Sequence, residues 1–151
     1  PVMLLGVEFT IYVLYAAVSM ALVFPIGAVL WGVRLPGSPA SFLGGWLLTL
    51  VSTLSIGMLV GGIAKNEKMA SVIACLLYFP MLIFSGATLP FEVMPEMMQK
   101  IVALFPLTQG IQLMKAAFLG MYTESVWVPA AVMGIVTILC AGAAVKFFKW
   151  E

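Results

Sequence analysis

Glu92 and Glu96 are the two acidic residues whose spacing invites a chemical reading. They lie four apart beside a long apolar segment, an unfavourable arrangement if both carboxylates lose water. Solvated at the outer surface, they are ordinary charges; drawn inward, they would close or line an external gate. Either could act as a general base in a membrane-embedded enzyme, yet the sequence names no companion nucleophile and no metal ligands. The chain has no histidine and no aspartate. That removes histidine-based metal sites, Ser-His-Asp chemistry and aspartyl-phosphate chemistry together. Cys75 and Cys140 each sit deep inside an apolar stretch, where cysteine is a small packing residue; a disulfide or metal pair between them is the lesser alternative. Tyr78, Thr88, Thr108, Gln109 and Gln112 offer polar contacts to a substrate or to backbone, and nothing in the sequence ranks them.

Other chemistries are bounded in the same way. No GxxxxGK[ST] loop is present, so this chain does not hold ATP in the P-loop manner. No glycine repeat resembles a selectivity filter. A net charge of +1 gives no footprint for nucleic acid. No ionisable residue falls at mid-depth in the long apolar segments, which argues against a proton relay within them. A sodium site built from carbonyls and hydroxyls is left open.

The elements that must position these groups are membrane helices. Of 151 residues, 64% are hydrophobic and 9% charged, against roughly 25% charged in a soluble domain. Uncharged runs of 25, 30, 23 and 21 residues separate Glu8 from Arg34, Arg34 from Lys65, Lys68 from Glu92, and Glu124 from Lys146. Each exceeds the roughly 20 helical residues that span a bilayer core. The first run follows Glu8 with no basic segment before it, unlike a signal peptide. The pattern predicts an all-α polytopic membrane protein with about four transmembrane helices. They are expected over Phe9–Trp31, Phe42–Ala64, Met69–Ser85 and Ser125–Phe148. Pro25 and Pro80 lie inside the first and third as candidate kinks or hinges. Gly57 and Gly61 in the second helix, and Gly134 in the fourth, are candidate helix-packing positions that permit close approach. Trp127 and Trp150 bracket the fourth helix as an aromatic belt would.

Between the third and fourth helices the chain breaks up. Pro90, Pro95 and Pro106 cut a segment too apolar for a solvated loop and too interrupted for one span. Two short helices are expected, Glu96–Leu104 with Pro95 in its first helical position, and Thr108–Leu119 ended by Gly120. Glu96 and Lys100 stand at an i,i+4 spacing. Neither helix can cross a bilayer. Together they form a broken, re-entrant hairpin, or an amphipathic pair at the interface. Lys65 and Lys68 in one turn, with Lys146 and Lys149 at the end, place the Ala64–Lys68 turn and the C-terminus in the cytoplasm. The Phe91–Gly120 segment then lies on the outer side.

One ordered set of motifs is familiar. Phe79-Pro80, Phe84-Ser85-Gly86, Leu89-Pro90, Met94-Pro95 and Phe105-Pro106-Leu107-Thr108 together resemble the C-terminal region of ABC-2 type transporter permeases. The resemblance covers nearly the whole chain and is strongest over Ala64–Gly120. It implies that residues 1–151 are a partial transmembrane domain, with the four helices as spans three to six of six. That agrees with a chain that opens on Pro1 without an initiator Met, as a fragment of a longer polypeptide would. It places Ser85, Gly86, Pro90, Glu92, Pro95, Glu96, Pro106 and Thr108 in an external gate or re-entrant element. It also implies a P-loop ATPase partner that binds ATP and magnesium, a second transmembrane domain, surrounding membrane lipid, and export of a drug, lipid, glycan or peptide by alternating access. The chain itself would hold no cofactor and no catalytic site. With no ATPase following Lys146–Glu151, a separate ATPase subunit is expected, or one fused upstream. The rival readings are half of a secondary transporter or channel, and a polytopic scaffold without transport.

Overall fold

The computed structural model describes residues 2–34, 36–120 and 127–147. It is all-helical over those residues: α1 Val2–Trp31, α2 Pro39–Ile63, α3 Glu67–Phe84, α4 Glu96–Val102, α5 Pro106–Leu119 and α6 Trp127–Phe147, with a 3-10 turn at Phe91–Val93 before α4. α1, α2, α3 and α6 are long and apolar enough to cross a membrane. α4 and α5 form a pair bent by 99° at a short break, the re-entrant hairpin between the third and fourth spans.

The helix ends follow local chemistry. Ser38 caps α2 by accepting from the Ser41 N–H at 3.5 Å, with Pro39 in the first turn. Asn66 Oδ1 accepts from the Met69 N–H at 2.8 Å and starts α3. The expected Ala64–Lys68 turn is therefore shorter, because Glu67 and Lys68 already belong to the first turn of α3. α1 begins at Val2 rather than Phe9. Glu8 marks a polar boundary in the sequence, but glutamate is a good helix former and does not end the helix. The fourth helix is described as Trp127–Phe147. Ser125, Phe148, Lys149 and Trp150, which figured in the expected boundaries and belt, lie outside the described residues. Pro25 and Pro80 sit inside helices that continue through them.

The core is built by α2, α5 and α6, with α2 as the hub. Met133, Ala117 and Ala144 are buried to 1% exposure or less. α1 leans on this core through an aromatic ladder, Phe24 to Phe42 (6.4 Å between centroids) and Phe42 to Phe118 (6.1 Å). Most of the surface of α1 and α3 stays exposed and apolar, as suits helices facing lipid or another membrane subunit.

Candidate functional site

The hairpin begins where α3 ends. Ser85 is fully buried; its hydroxyl donates to the Leu82 carbonyl at 2.8 Å and accepts from the Ala87 N–H at 3.3 Å. Gly86 follows at φ +91°, a backbone conformation that side chains resist, and turns the chain away from the α3 axis. The chain then passes exposed Pro90 to the 3-10 turn, and Gln99 reaches back to brace it. Gln99 Nε2 donates to the carbonyls of Phe91 (3.2 Å) and Met94 (2.9 Å). Pro95 occupies the N-cap of α4, not its first helical position, because its extended ψ of 148° places it outside the helix.

α4 ends at Val102, before the expected Leu104, and Pro106 opens α5 two residues before Thr108. Proline is at home in a first turn, where its missing N–H has no helical partner to lose. The break between the helices is closed by local bonds. The Leu104 N–H donates to the Ile101 carbonyl, the Phe105 N–H to the Val102 carbonyl, and Gln109 Nε2 to the Ala103 carbonyl.

α5 seats on α2 through glycines. A Cβ at Gly110 would meet the Thr49 side chain, with Cγ2 at 2.5 Å and Cβ at 2.8 Å. A Cβ at Gly45 would lie 3.3 Å from Leu113 Cγ. Gly37 lies against the Ala117 carbonyl, and its N–H donates to the Phe118 carbonyl at 3.2 Å. The α1–α2 turn and the C-terminal end of α5 therefore share one side of the molecule. The glycines singled out from sequence are elsewhere. Among the described residues a Cβ at Gly57, Gly61 or Gly134 meets nothing within 4 Å, and the close approaches seen are at Gly37, Gly45 and Gly110. Small-residue spacing shows that approach is sterically possible; the path of α5 decides where it happens.

Behind the hairpin, α2 and α6 are joined by hydroxyls. Ser52 Oγ and Thr137 Oγ1 are 2.8 Å apart, and both reach the Met133 carbonyl, at 3.0 and 2.7 Å. Thr49 donates to the Gly45 carbonyl at 2.7 Å and lies 3.8 Å from Met133 Sδ. This cluster is not among the sites expected from the sequence. Its signal was Thr49, Ser52 and Ser55 at threefold spacing inside an apolar helix, which puts three hydroxyls on one buried face.

Among the gate candidates, the structure unites Glu92 with Lys115, 3.0 Å apart and both exposed. Hydrogen bonding to its own backbone, then the Lys115 ammonium, holds the Glu92 carboxyl below the usual glutamate range. Among the described residues no ion pair joins Glu96 to Lys100, although both are exposed one turn apart on α4. Pro106 and Thr108 are buried, and Thr108 Oγ1 has no hydrogen-bond partner among the described residues. Cys75 and Cys140 are both free thiols, exposed and half-buried respectively. An apolar groove of about 380 Å³ separates α1 from α2, lined by Ala17, Met20, Phe24, Pro25, Phe42 and Trp46.

The model of the ABC-2 family transporter protein matches residues 1–146. Over 110 residues the chain is 34% identical to the inner membrane transport permease YhhJ of Escherichia coli (strain K12), covering 72% of this chain and 29% of that protein. The YhhJ permease of Shigella flexneri gives the same figures. Nodulation protein J of Neorhizobium galegae is 34% identical over 73 residues, 48% of this chain and 28% of that one. The chain thus spans less than a third of the length of these curated relatives. No solved structure matches.

Proposed function

The chain belongs to the ABC-2 family of transporter proteins, and from that premise we propose that it forms part of the membrane-spanning permease of an ATP-driven exporter. In this reading α1, α2, α3 and α6 take the places of spans three to six in a six-helix domain. A P-loop ATPase supplies ATP hydrolysis with magnesium, and a second transmembrane domain completes the path. Cargo of the drug, lipid, glycan or peptide class passes between the two domains and leaves past the hairpin. The Ala64–Lys68 turn and the C-terminus face the cytoplasm, and the Phe91–Gly120 segment faces outward.

The observation that carries this reading is the hairpin seated on α2 from the side of the α1–α2 turn. A broken helix pair at membrane depth needs protein or water around it, which a path between two domains provides. Sidedness is supported by charge: Lys65 and Lys68 sit at the opposite end of α2 from Gly37, where positive residues favour the cytoplasm. The α2–α5–α6 core would move as a unit, since hydroxyl bonds and glycine contacts tie its members together. α1 and α3, more loosely attached, are the faces free to slide against a partner.

The test is copurification. The full-length polypeptide is extracted in mild detergent and assayed for ATP hydrolysis. A stoichiometric P-loop ATPase with vanadate-sensitive turnover is expected. If the full-length chain carries no ATPase domain and none accompanies it under several extraction conditions, the exporter reading fails in favour of a secondary carrier.

A further inference from the structure

The register of α5 on α2 fixes how far the hairpin reaches, and that depth changes the meaning of Lys100. α5 runs antiparallel to α2: Ala117 and Phe118 meet Gly37, Leu113 and Met114 meet Gly45, and Gly110 meets Thr49. Thr49 is ten residues past Pro39, about 15 Å along α2 at 1.5 Å per residue. Pro106 lies four residues beyond Gly110, about 6 Å further. α5 therefore starts about 20 Å below the Pro39 end of a helix about 37 Å long. α4 joins that point at 99° to α5, so it runs roughly perpendicular to the α2 direction and does not climb back along it.

Glu96 and Lys100 are carried to this depth, and both are exposed. Charged side chains at mid-membrane do not face hydrocarbon; they line cavities, pair with one another or mark a pathway. Among the described residues Lys100 has no ion-pair partner within 4 Å, although Glu96 stands one turn away on the same helix. One turn to either side of Lys100 stand Met97 and Leu104, 79% and 70% exposed. The Lys100 ammonium, not paired to Glu96 and flanked by exposed Met97 and Leu104 at a depth that only water makes tolerable, fits a molecule with both anionic and apolar character.

We propose that α4 and the α4–α5 break floor a water-filled vestibule, in which Lys100 binds the anionic group, phosphate or carboxylate, of an amphiphile. The outward opening of this vestibule rests on the sidedness of the permease reading; its existence does not.

The test uses the full-length permease with Cys75 and Cys140 replaced by alanine, carrying Glu96→Cys, in phosphatidylcholine vesicles. Membrane-impermeant thiosulfonates, one anionic and one cationic, are applied to right-side-out and inside-out preparations. Glu96→Cys is expected to react at least tenfold faster than Leu139→Cys on the exposed face of α6, and from one side only. The anionic reagent should be favoured severalfold over its rate on a free thiol. Lys100→Gln should abolish that preference and Lys100→Arg should keep it. Inorganic phosphate, or phosphatidylglycerol in the vesicles, should slow labelling only while the cation is present. Slowing by phosphate alone assigns a soluble anion, and slowing by phosphatidylglycerol alone assigns a lipid headgroup; either supports the site. Reaction from the Lys65–Lys68 side supports the vestibule and overturns the outward orientation. The vestibule is overturned if Glu96→Cys is as inert as Leu139→Cys from both sides. The anion site is overturned if charge preference ignores Lys100, or if neither probe slows labelling.

Discussion

The hydroxyls of Ser52 and Thr137 meet at 2.8 Å near the middle of two membrane helices. Ser52 and Thr137 carry two protons between them for three contacts, one with each other and one each with the Met133 carbonyl. No hydroxyl is left bare, and α6 is held to α2 at a point where water gives no competition. Interhelical hydrogen bonds in membranes contribute modestly, about 0.6 kcal/mol on average and up to about 1.7. Ser52→Ala is expected to destabilise the protein within that range, and the double variant with Thr137→Val to show coupling of similar size. Unfolding in mild detergent measures both, and strictly additive losses would show that the two hydroxyls act separately.

Gly110→Ala puts a methyl group against Thr49, whose Cβ is 2.8 Å from the added carbon. Overpacking of this kind typically costs about 1–3 kcal/mol. The loss should appear as faster hydrogen exchange or proteolysis in α5, and Thr49→Gly in the same chain should restore part of it. Gly57→Ala is the contrast. Its Cβ meets nothing within 4 Å among the described residues, and alanine is preferred over glycine in a helix by about 1 kcal/mol. Thermal unfolding should therefore show no loss at position 57; a loss there would mean that another subunit packs on that face.

The four spans were legible because charge spacing reports bilayer thickness directly, and Pro90, Pro95 and Pro106 announced the break. Helix ends were less so. Pro106 reads equally as a stop for one helix or the start of the next, and only the Phe105 geometry settles that it begins α5. The partners of the hairpin were not legible at all. Glu92 and Lys115 are 23 residues apart, and nothing local in the sequence prefers that pair to Glu96 and Lys100. Gly110 and Thr49 meet only because α5 folds back along α2. The hydroxyl face of α2 was readable in principle from its spacing, but hydroxyls in membrane helices also bond their own backbone. Thr10 and Ser19 do so on α1, to the Gly6 and Tyr15 carbonyls.

The Glu92–Lys115 contact is expected to respond to pH in one direction. The folded carboxyl is held below its ordinary range, so its contribution is present in full above that range. It declines as pH falls through the ordinary carboxylate region, about 4.3 for an unperturbed glutamate, and is gone below the lowered folded value. Both partners are exposed, so salt should weaken the contact as well. Cross-linking between cysteines placed at Val93 and Leu119, followed against pH, reads how tightly the turn is held to α5. Glu92→Gln should flatten the acid limb, and an unchanged profile in that variant would assign the limb to another group.

Thr108 makes the opposite expectation from its neighbour Gln109. The Thr108 hydroxyl is fully buried without a partner, and an unsatisfied buried polar group costs about 1–3 kcal/mol. Thr108→Val keeps the branched shape and removes the uncompensated oxygen, so stability in this conformation should rise or stay level. Gln109→Leu takes away the donor that closes the Ala103 carbonyl, and about 1 kcal/mol should be lost. Thermal unfolding of the two variants separates the cases. In the exporter reading proposed above, ATP-coupled transport by the full-length permease gives a second reading of Thr108. If the valine variant is as stable as the parent yet transports slowly, the hydroxyl finds its partner in a state the hairpin visits during turnover. If transport is untouched, the hydroxyl is a local imperfection in packing with no part in the cycle.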